Sequence, residues 1–198
     1  MIAAILAAHA ALAGSLGGAP TGPGAPAVAA ARPNIVVMLS DDQRWDAVGF
    51  VARSGQGRFP FFGDGTPNID RIARKGVWFS SAFVVDSLCS PSRAAYLTGK
   101  YNHINGIVDN HTPFPADAQT YATLLRAAGY RTGYFGKWHM GSQRERPGFD
   151  YSASFVDQGE YFNTPLLVNG IDTPTPGWID DVTTGFAVNF IRQNAGQP

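Results

Sequence analysis

A continuous apolar run at residues 34–40 (NIVVMLS) constrains most strongly what this chain can fold into. The run does not alternate polar and apolar positions, which predicts a strand buried on both faces, as in a parallel sheet. Asp41 and Asp42 follow the run directly. Because ligands collect at the carboxyl ends of parallel strands, we expect these two acids to face a shared site.

The rest of the chain alternates helix and strand patterns, which predicts a layered α/β fold. Thr66 is suited to cap a helix, Pro67 to occupy its first position and Gly76 to end it. Beyond this helix, the patterns predict strands at residues 77–85 and 130–135, helices at 120–128 and 179–192, and loops at 49–65 and 146–177.

The first 31 residues contain no Lys, Arg, Asp or Glu. An apolar stretch at residues 2–12 precedes a Gly-, Pro- and Ala-rich run, which is typical of a secretory signal and a flexible spacer. The basic residues that usually precede such a stretch are missing, so a low-complexity leader or a misplaced start codon is the alternative. The stretch is too short for a stable membrane span. We therefore expect an exported, periplasmic or extracellular protein with a leader at residues 1–31 and a folded domain at residues 32–198.

Composition and cysteine content narrow the class of protein. The 198 residues carry 15 basic and 15 acidic side chains, and this balance argues against nucleic acid as a partner. Cys89 is the only cysteine, so the chain forms no internal disulfide. A lone cysteine is more often a small buried apolar residue than a nucleophile, so the role of Cys89 has to be inferred from the neighbouring residues.

Those neighbours form the segment Cys89-Ser90-Pro91-Ser92-Arg93-Ala94-Ala95-Tyr96-Leu97-Thr98-Gly99. Ser90 as a cap, Pro91 in the first turn and Gly99 at the end predict a helix. Cys89 then lies at a helix amino terminus, where backbone N–H groups and the helix dipole favour an anion. Arg93 follows four residues later, so both side chains share one helix face.

The spacing C-x-P-S-R-x-x-x-L-T-G resembles the signature of the type I sulfatases. Four further blocks match that family in order, at residues 32–42, 66–70, 129–132 and 136–139. The resemblance implies a three-layer α/β/α sandwich of the alkaline phosphatase and sulfatase type, here as its N-terminal portion. It also implies a sulfuric ester hydrolase. Residues 159–170 look like bacterial N-acetylglucosamine-6-sulfatases and mucin- or heparan-desulfating enzymes, so we expect a sulfated carbohydrate as substrate.

The resemblance also implies how residue 89 acts. In this family, a formylglycine-generating enzyme converts the cysteine of the signature to formylglycine (3-oxoalanine). The hydrated aldehyde at Cys89 would then attack sulfur, release the alcohol and expel sulfate as the aldehyde reforms. The family's metal-binding acids correspond to Asp41 and Asp42, which are implied to bind a divalent cation, usually calcium, together with residue 89.

Three further residues are implied to serve the reaction. Arg93 would hold oxygens of residue 89 and of the metal site, Lys137 would contact the sulfate, and His139 would handle the hydroxyl proton. Each assignment has a structural alternative. Adjacent acids after a strand are typical of a solvated turn or a helix cap, Arg93 could pair with a surface acid, and a single Lys or His is more often structural.

Type I sulfatases are considerably longer than this chain. Their second His, an Asp-Asn-type metal pair and a further Lys cannot be placed here, so we expect a domain that is incomplete at its C-terminus and inactive alone. Two alternatives to a sulfatase fragment are a phosphonate or phosphodiester hydrolase of the same superfamily and a non-catalytic truncated product.

Overall fold

The structure is a computed structural model that describes residues 4–8, 32–55 and 65–198. The chain divides into an N-terminal unit within residues 2–82 and a C-terminal unit of residues 83–198. Most of the predicted leader lies outside the described residues. No helix in the described ranges has the length and apolar character needed to cross a membrane.

The N-terminal unit contains one pair of described strands. β1 (Ala4–Ala8) and β2 (Ile35–Leu39) pair antiparallel. The apolar run is therefore a strand, as predicted, but the prediction of a parallel sheet with both faces buried is wrong for the described residues. Ile35, Val36 and Met38 are exposed, because the described part of this unit does not cover both faces of a two-stranded sheet.

Short helices make up the rest of this unit. A 3₁₀ turn spans Trp45–Ala47 and is followed by α1 (Gly49–Arg53) and α2 (Pro67–Lys75). The helix predicted after Thr66 is confirmed. The loop predicted at residues 49–65 is wrong at its start, where α1 forms, and its residues 56–64 lie outside the described residues.

A buried carboxylate, Asp70, joins α1 to α2. Its Oδ1 accepts hydrogen bonds from Phe50 N at 2.8 Å and Thr66 Oγ1 at 2.9 Å, and Oδ2 accepts one from Arg53. Burial raises the pKa of Asp70, but the hydrogen bonds from Arg53, Thr66 and Phe50 outweigh it and lower the pKa below its usual value. Thr66 makes no capping bond, because its Oγ1 instead accepts from Gly49 N at 2.7 Å.

The C-terminal unit contains a four-stranded sheet in the order β3-β4-β5-β6. The strands are β3 (Gly133–Lys137), β4 (Tyr151–Phe155), β5 (Leu166–Val168) and β6 (Ile171–Thr173). β3 and β4 are parallel, with Lys137 opposite Phe155, and the other two pairings are antiparallel. The helices of the unit are α3 (Cys89–Thr98), α4 (Asn102–Asn105), α5 (Tyr121–Ala127) and α6 (Ile179–Gln193). This mixture confirms the predicted α/β class.

Helix ends follow the local signals closely. Gly99 ends α3 with a left-handed φ of 66°, as expected from a glycine after the signature. Thr120 caps α5 by accepting a hydrogen bond from Thr123 N at 3.1 Å. The helices predicted over the signature and at residues 120–128 and 179–192 are confirmed.

The strand predictions are less accurate. Residues 77–85 form no strand, and the strand predicted at residues 130–135 lies at β3 instead. The loop predicted at residues 146–177 is wrong, since it contains β4, β5 and β6. Ser152 and Ser154 of β4 are buried, and such small polar residues hide a buried strand from an apolar pattern.

Trp138 connects the end of β3 to α3. Its side chain is fully buried in a cluster with Ala94 and Leu97 of α3, and with Phe114 and Met140. On α6, the ring of Phe190 contacts Phe135 of β3 and stacks on Tyr151 of β4, with centroids 5.6 and 6.0 Å apart. The carboxyl end of β3 is thus fixed by packing from α3 as well as by pairing with β4.

Two glycine-to-alanine substitutions in the C-terminal unit should change the free energy of unfolding in opposite directions. Gly148 has a φ of +85°, and a Cβ there would lie 2.5 Å from Thr123 N, so Gly148→Ala combines backbone strain with a clash. We expect it to lower the free energy of unfolding by about 2 kcal/mol. Gly185, within α6, has nothing within 4 Å of the point that an alanine methyl group would occupy. Gly185→Ala should therefore raise the free energy of unfolding by up to about 1 kcal/mol.

Urea unfolding of both variants beside the wild-type protein checks this prediction. Equal effects of the same sign would contradict the arrangement of residue 148 against α5.

Candidate active site

Cys89 and Lys137 meet at the end of β3. Cys89 is the first residue of α3 and is partly exposed, and its Sγ lies 3.6 Å from Nζ of Lys137. Nζ also donates a hydrogen bond to Oε1 of Gln158 at 2.6 Å. The ammonium group therefore contacts both a thiol and a neutral amide, which places a positive charge beside residue 89.

The helix start itself differs from the prediction. Leu88, not Ser90, is the capping residue, and it makes no side-chain capping bond. Ser90 Oγ donates to the carbonyl oxygen of His139, and Ser90 N donates to Asn110 Oδ1 at 3.0 Å. Because Pro91 has no N–H group, the first turn offers an anion fewer donors than the sequence suggests. Lys137 supplies a positive charge beside residue 89 in this unit.

Arg93 fixes the backbone that carries this lysine. Its side chain is buried, and Nη1 donates to the carbonyl oxygen of Lys137 at 2.7 Å. The hydroxyl of Tyr134 donates to the same carbonyl. Arg93 and Cys89 both lie in α3 at the predicted spacing, and a role for Arg93 toward oxygens of residue 89 stays a prediction.

His139 lies where the β3–β4 pairing continues beyond the two strands. Trp138 N donates to Phe155 O at 3.0 Å, and His139 N donates to Val156 O at 2.9 Å. His139 is buried and has a left-handed φ of 50°. Its Nε2 lies 3.3 Å from Oδ1 of Asp157. The imidazole therefore has a carboxylate beside it on the solvent side of the site.

Arg146 supports the tryptophan between the two site residues. It is only 3% exposed, and its guanidinium carbon lies 4.8 Å from the centroid of the Trp138 ring. Nε donates to Ser154 Oγ at 2.8 Å, and Nη1 donates to Gln143 O at 2.5 Å. Burial lowers the pKa of the Arg146 guanidinium to about 10.

The two acids expected to bind a cation lie in the N-terminal unit. Asp41 and Asp42 follow β2 after Ser40, are exposed, and Asp42 has a left-handed φ of 51°. Within the described ranges, no three His, Cys, Asp or Glu residues are grouped to hold a metal ion. Carboxylate oxygens suit a calcium ion, which takes about six to eight oxygen ligands, so this pair would supply part of a set.

The structure thus brings four predicted residues together in one unit: Cys89, Arg93, Lys137 and His139. It also places three residues at this site that the sequence analysis missed, Asn110, Asp157 and Gln158. Asp157 and Gln158 come directly after β4, whose small buried serines hid the strand. A strand recognised there would have marked its carboxyl end as a place for polar site residues.

Comparison with known proteins shows the family. The family model described as Sulfatase matches residues 33–198. N-acetylglucosamine-6-O-sulfatase of Bacteroides thetaiotaomicron is 37% identical over 164 residues, which are 81% of this chain and 28% of that protein. The ulvan-active sulfatase of Formosa agariphila is 33% identical over 146 residues, 70% of this chain and 27% of that protein.

A solved structure supports the same conclusion. It is a complex with the substrate D-glucosamine-2-N,6-O-disulfate, and it matches with a TM-score of 0.66 and 36% identity over 77% of this chain and 29% of that chain. The chain therefore belongs to the sulfatase family, and it spans less than a third of the length of these relatives. The predicted fold type, an N-terminal portion of the sulfatase α/β fold, is confirmed.

Two neighbouring arginines test the support under Trp138. Arg146→Ala removes the contact with the ring and the hydrogen bonds to Ser154 and Gln143, so we expect it to lower the free energy of unfolding by about 2 kcal/mol. Arg144 forms an exposed ion pair with Asp172, at 2.6 Å, and Arg144→Ala should change stability by less than about 1 kcal/mol. Denaturant unfolding measures the free energy of unfolding of both variants. An equal loss would show that Arg146 stabilises the protein no more than a surface arginine does.

Proposed function

We propose that this protein hydrolyses sulfate monoesters of sulfated sugars, with residue 89 as the nucleophile after conversion of Cys89 to formylglycine. The observation that carries the proposal is the 3.6 Å approach of Lys137 Nζ to Cys89 Sγ at the start of α3. A nucleophile beside a fixed cation matches the need of an ester whose sulfate oxygens are negatively charged.

Lys137 binds the sulfate as a point charge. Hydrogen bonds from Arg93 and Tyr134 to its carbonyl oxygen hold its backbone, which limits the positions that the ammonium can take before the substrate arrives. Ser90 holds the carbonyl of His139 in the same way. These contacts bring α3 and the end of β3 to a fixed separation around residue 89.

His139 holds or moves a proton at the nucleophilic oxygen. Its Nε2 lies 3.3 Å from Oδ1 of Asp157, and this contact orients the imidazole. An oriented imidazole can exchange a proton with a neighbouring oxygen during the reaction.

Cys89 suits maturation to formylglycine. It is the only cysteine of the chain, so no internal disulfide competes for the thiol, and it is partly exposed. The hydrated aldehyde would supply the attacking hydroxyl that a thiol lacks. A formylglycine-generating enzyme is then a partner of this protein, and we propose export with residues 1–31 as the leader.

Asp41 and Asp42 would hold the divalent cation, and their carboxylate oxygens suit a hard ion such as calcium. The cation would supply neutralising charge to the sulfate group when it is bound. The relatives support a sugar substrate, since one is an N-acetylglucosamine-6-O-sulfatase and one solved structure holds a glucosamine disulfate. We extend that substrate class to this protein as part of the proposal.

The decisive test is the chemical state of residue 89. The full-length gene product should be made in a host that has the maturing enzyme, and mass analysis of the peptide bearing Cys89 should show an aldehyde in place of the thiol. Cys89→Ala should abolish hydrolysis of 4-nitrophenyl sulfate, and Lys137→Ala should lower kcat/KM about 100-fold because it removes the fixed cation. Active protein with an unmodified thiol would overturn the mechanism, and faster cleavage of a matched phosphonate ester would favour the other hydrolase class.

A second test concerns the cation. Asp41→Asn and Asp42→Asn each remove one carboxylate charge, so we expect each to raise the calcium concentration for half-maximal activity about tenfold or more. Asp117→Asn is the matched control, because Asp117 is an exposed acid in the C-terminal unit. Calcium titrations of chelator-treated protein measure the effect, and unchanged calcium dependence in both variants would remove the two acids from the metal site.

A further inference from the structure

Two consecutive residues after β4 each contact one of the proposed catalytic residues. Gln158 Oε1 accepts from Lys137 Nζ at 2.6 Å, and Asp157 Oδ1 lies 3.3 Å from His139 Nε2. Both residues are exposed, so their side chains contribute little to the core. The residue just before them is anchored, because Val156 O accepts the hydrogen bond from His139 N.

The chemistry of Gln158 suits a lysine that has to bind an anion. A glutamine carbonyl oxygen accepts a hydrogen bond from an ammonium group without carrying a charge. Gln158 therefore orients Lys137 without placing a negative charge of its own beside it. A glutamate in the same place would form an ion pair with Lys137 and would repel a sulfate group.

Asp157 suits the histidine in the complementary way. A carboxylate 3.3 Å from Nε2 restricts the plane in which the ring can lie. The side chain of Asp157 is 83% exposed and remains hydrated. The backbone pairing that continues past β4 brings it next to His139.

We propose that Asp157 and Gln158 are positioning residues of the active site, in which Gln158 orients Lys137 without neutralising it and Asp157 orients the His139 ring. The inference rests on the proposed function and deepens it. It assigns one side of the site to the segment after β4 and the other side to α3.

Gln158→Glu is the sharpest variant, because it changes the charge beside Lys137 while it keeps the shape of the side chain. In the full-length protein, we expect KM for 4-nitrophenyl sulfate to rise about tenfold and kcat to change much less. The dissociation constant of inorganic sulfate should also rise about tenfold. Gln193→Glu, at the exposed end of α6, is the matched control and should change neither quantity.

Asp157→Ala should lower kcat about tenfold with little change in KM, because the ring loses its orientation but the sulfate still meets Lys137. Asp157→Asn should restore part of kcat, since its amide oxygen still accepts a hydrogen bond. Asp172→Ala removes an equally exposed acid from a surface ion pair and should leave kcat unchanged.

The outcomes separate this inference from the proposed function. Wild-type hydrolysis with unchanged KM in Gln158→Glu and unchanged kcat in Asp157→Ala overturns the inference and leaves the proposed function standing. Protein that binds inorganic sulfate, weakens that binding in Gln158→Glu and hydrolyses no sulfate ester supports the inference for Gln158 and overturns the proposed function.

Discussion

The parallel pairing of β3 with β4 is the constraint on which the candidate site depends. Parallel neighbours end at the same edge of a sheet, so Lys137 and His139 emerge beside the segment that follows Phe155. The backbone hydrogen bonds continue past both strands to His139 and Val156. Asp157 and Gln158 of that segment therefore come next to the histidine and the lysine.

α3 holds the same edge from another direction. Ser90 and Arg93 donate to the carbonyl oxygens of His139 and Lys137, while Trp138, between them, is packed in the core under Arg146. The two polar residues and the one apolar residue of this short segment are therefore fixed by different forces. Hydrogen bonds hold the backbone of the two polar residues, and packing holds the side chain that takes no part in the chemistry.

Features that depend on neighbouring residues could be predicted from the sequence, and contacts between residues far apart in the chain could not. The helix over the signature and its end at Gly99 depend on neighbouring residues, and they were predictable. The contact of Ser90 with the carbonyl of His139 crosses 49 positions, and no local pattern indicates it. Asp157 and Gln158 were missed because β4 is short and buries serines, so its end could not be recognised. Lys137 and His139 were found because a family pattern marks them, although the strand before them was misplaced.

The left-handed backbone at His139 has a consequence for the evolution and redesign of this chain. A φ of 50° in a residue with a Cβ costs about 1 kcal/mol, and glycine would adopt it without strain. Replacement of this histidine by glycine would relieve the backbone strain but would also remove the buried imidazole from the end of the sheet. A stabilised version of this protein has to gain its stability elsewhere and accept a strained turn at residue 139.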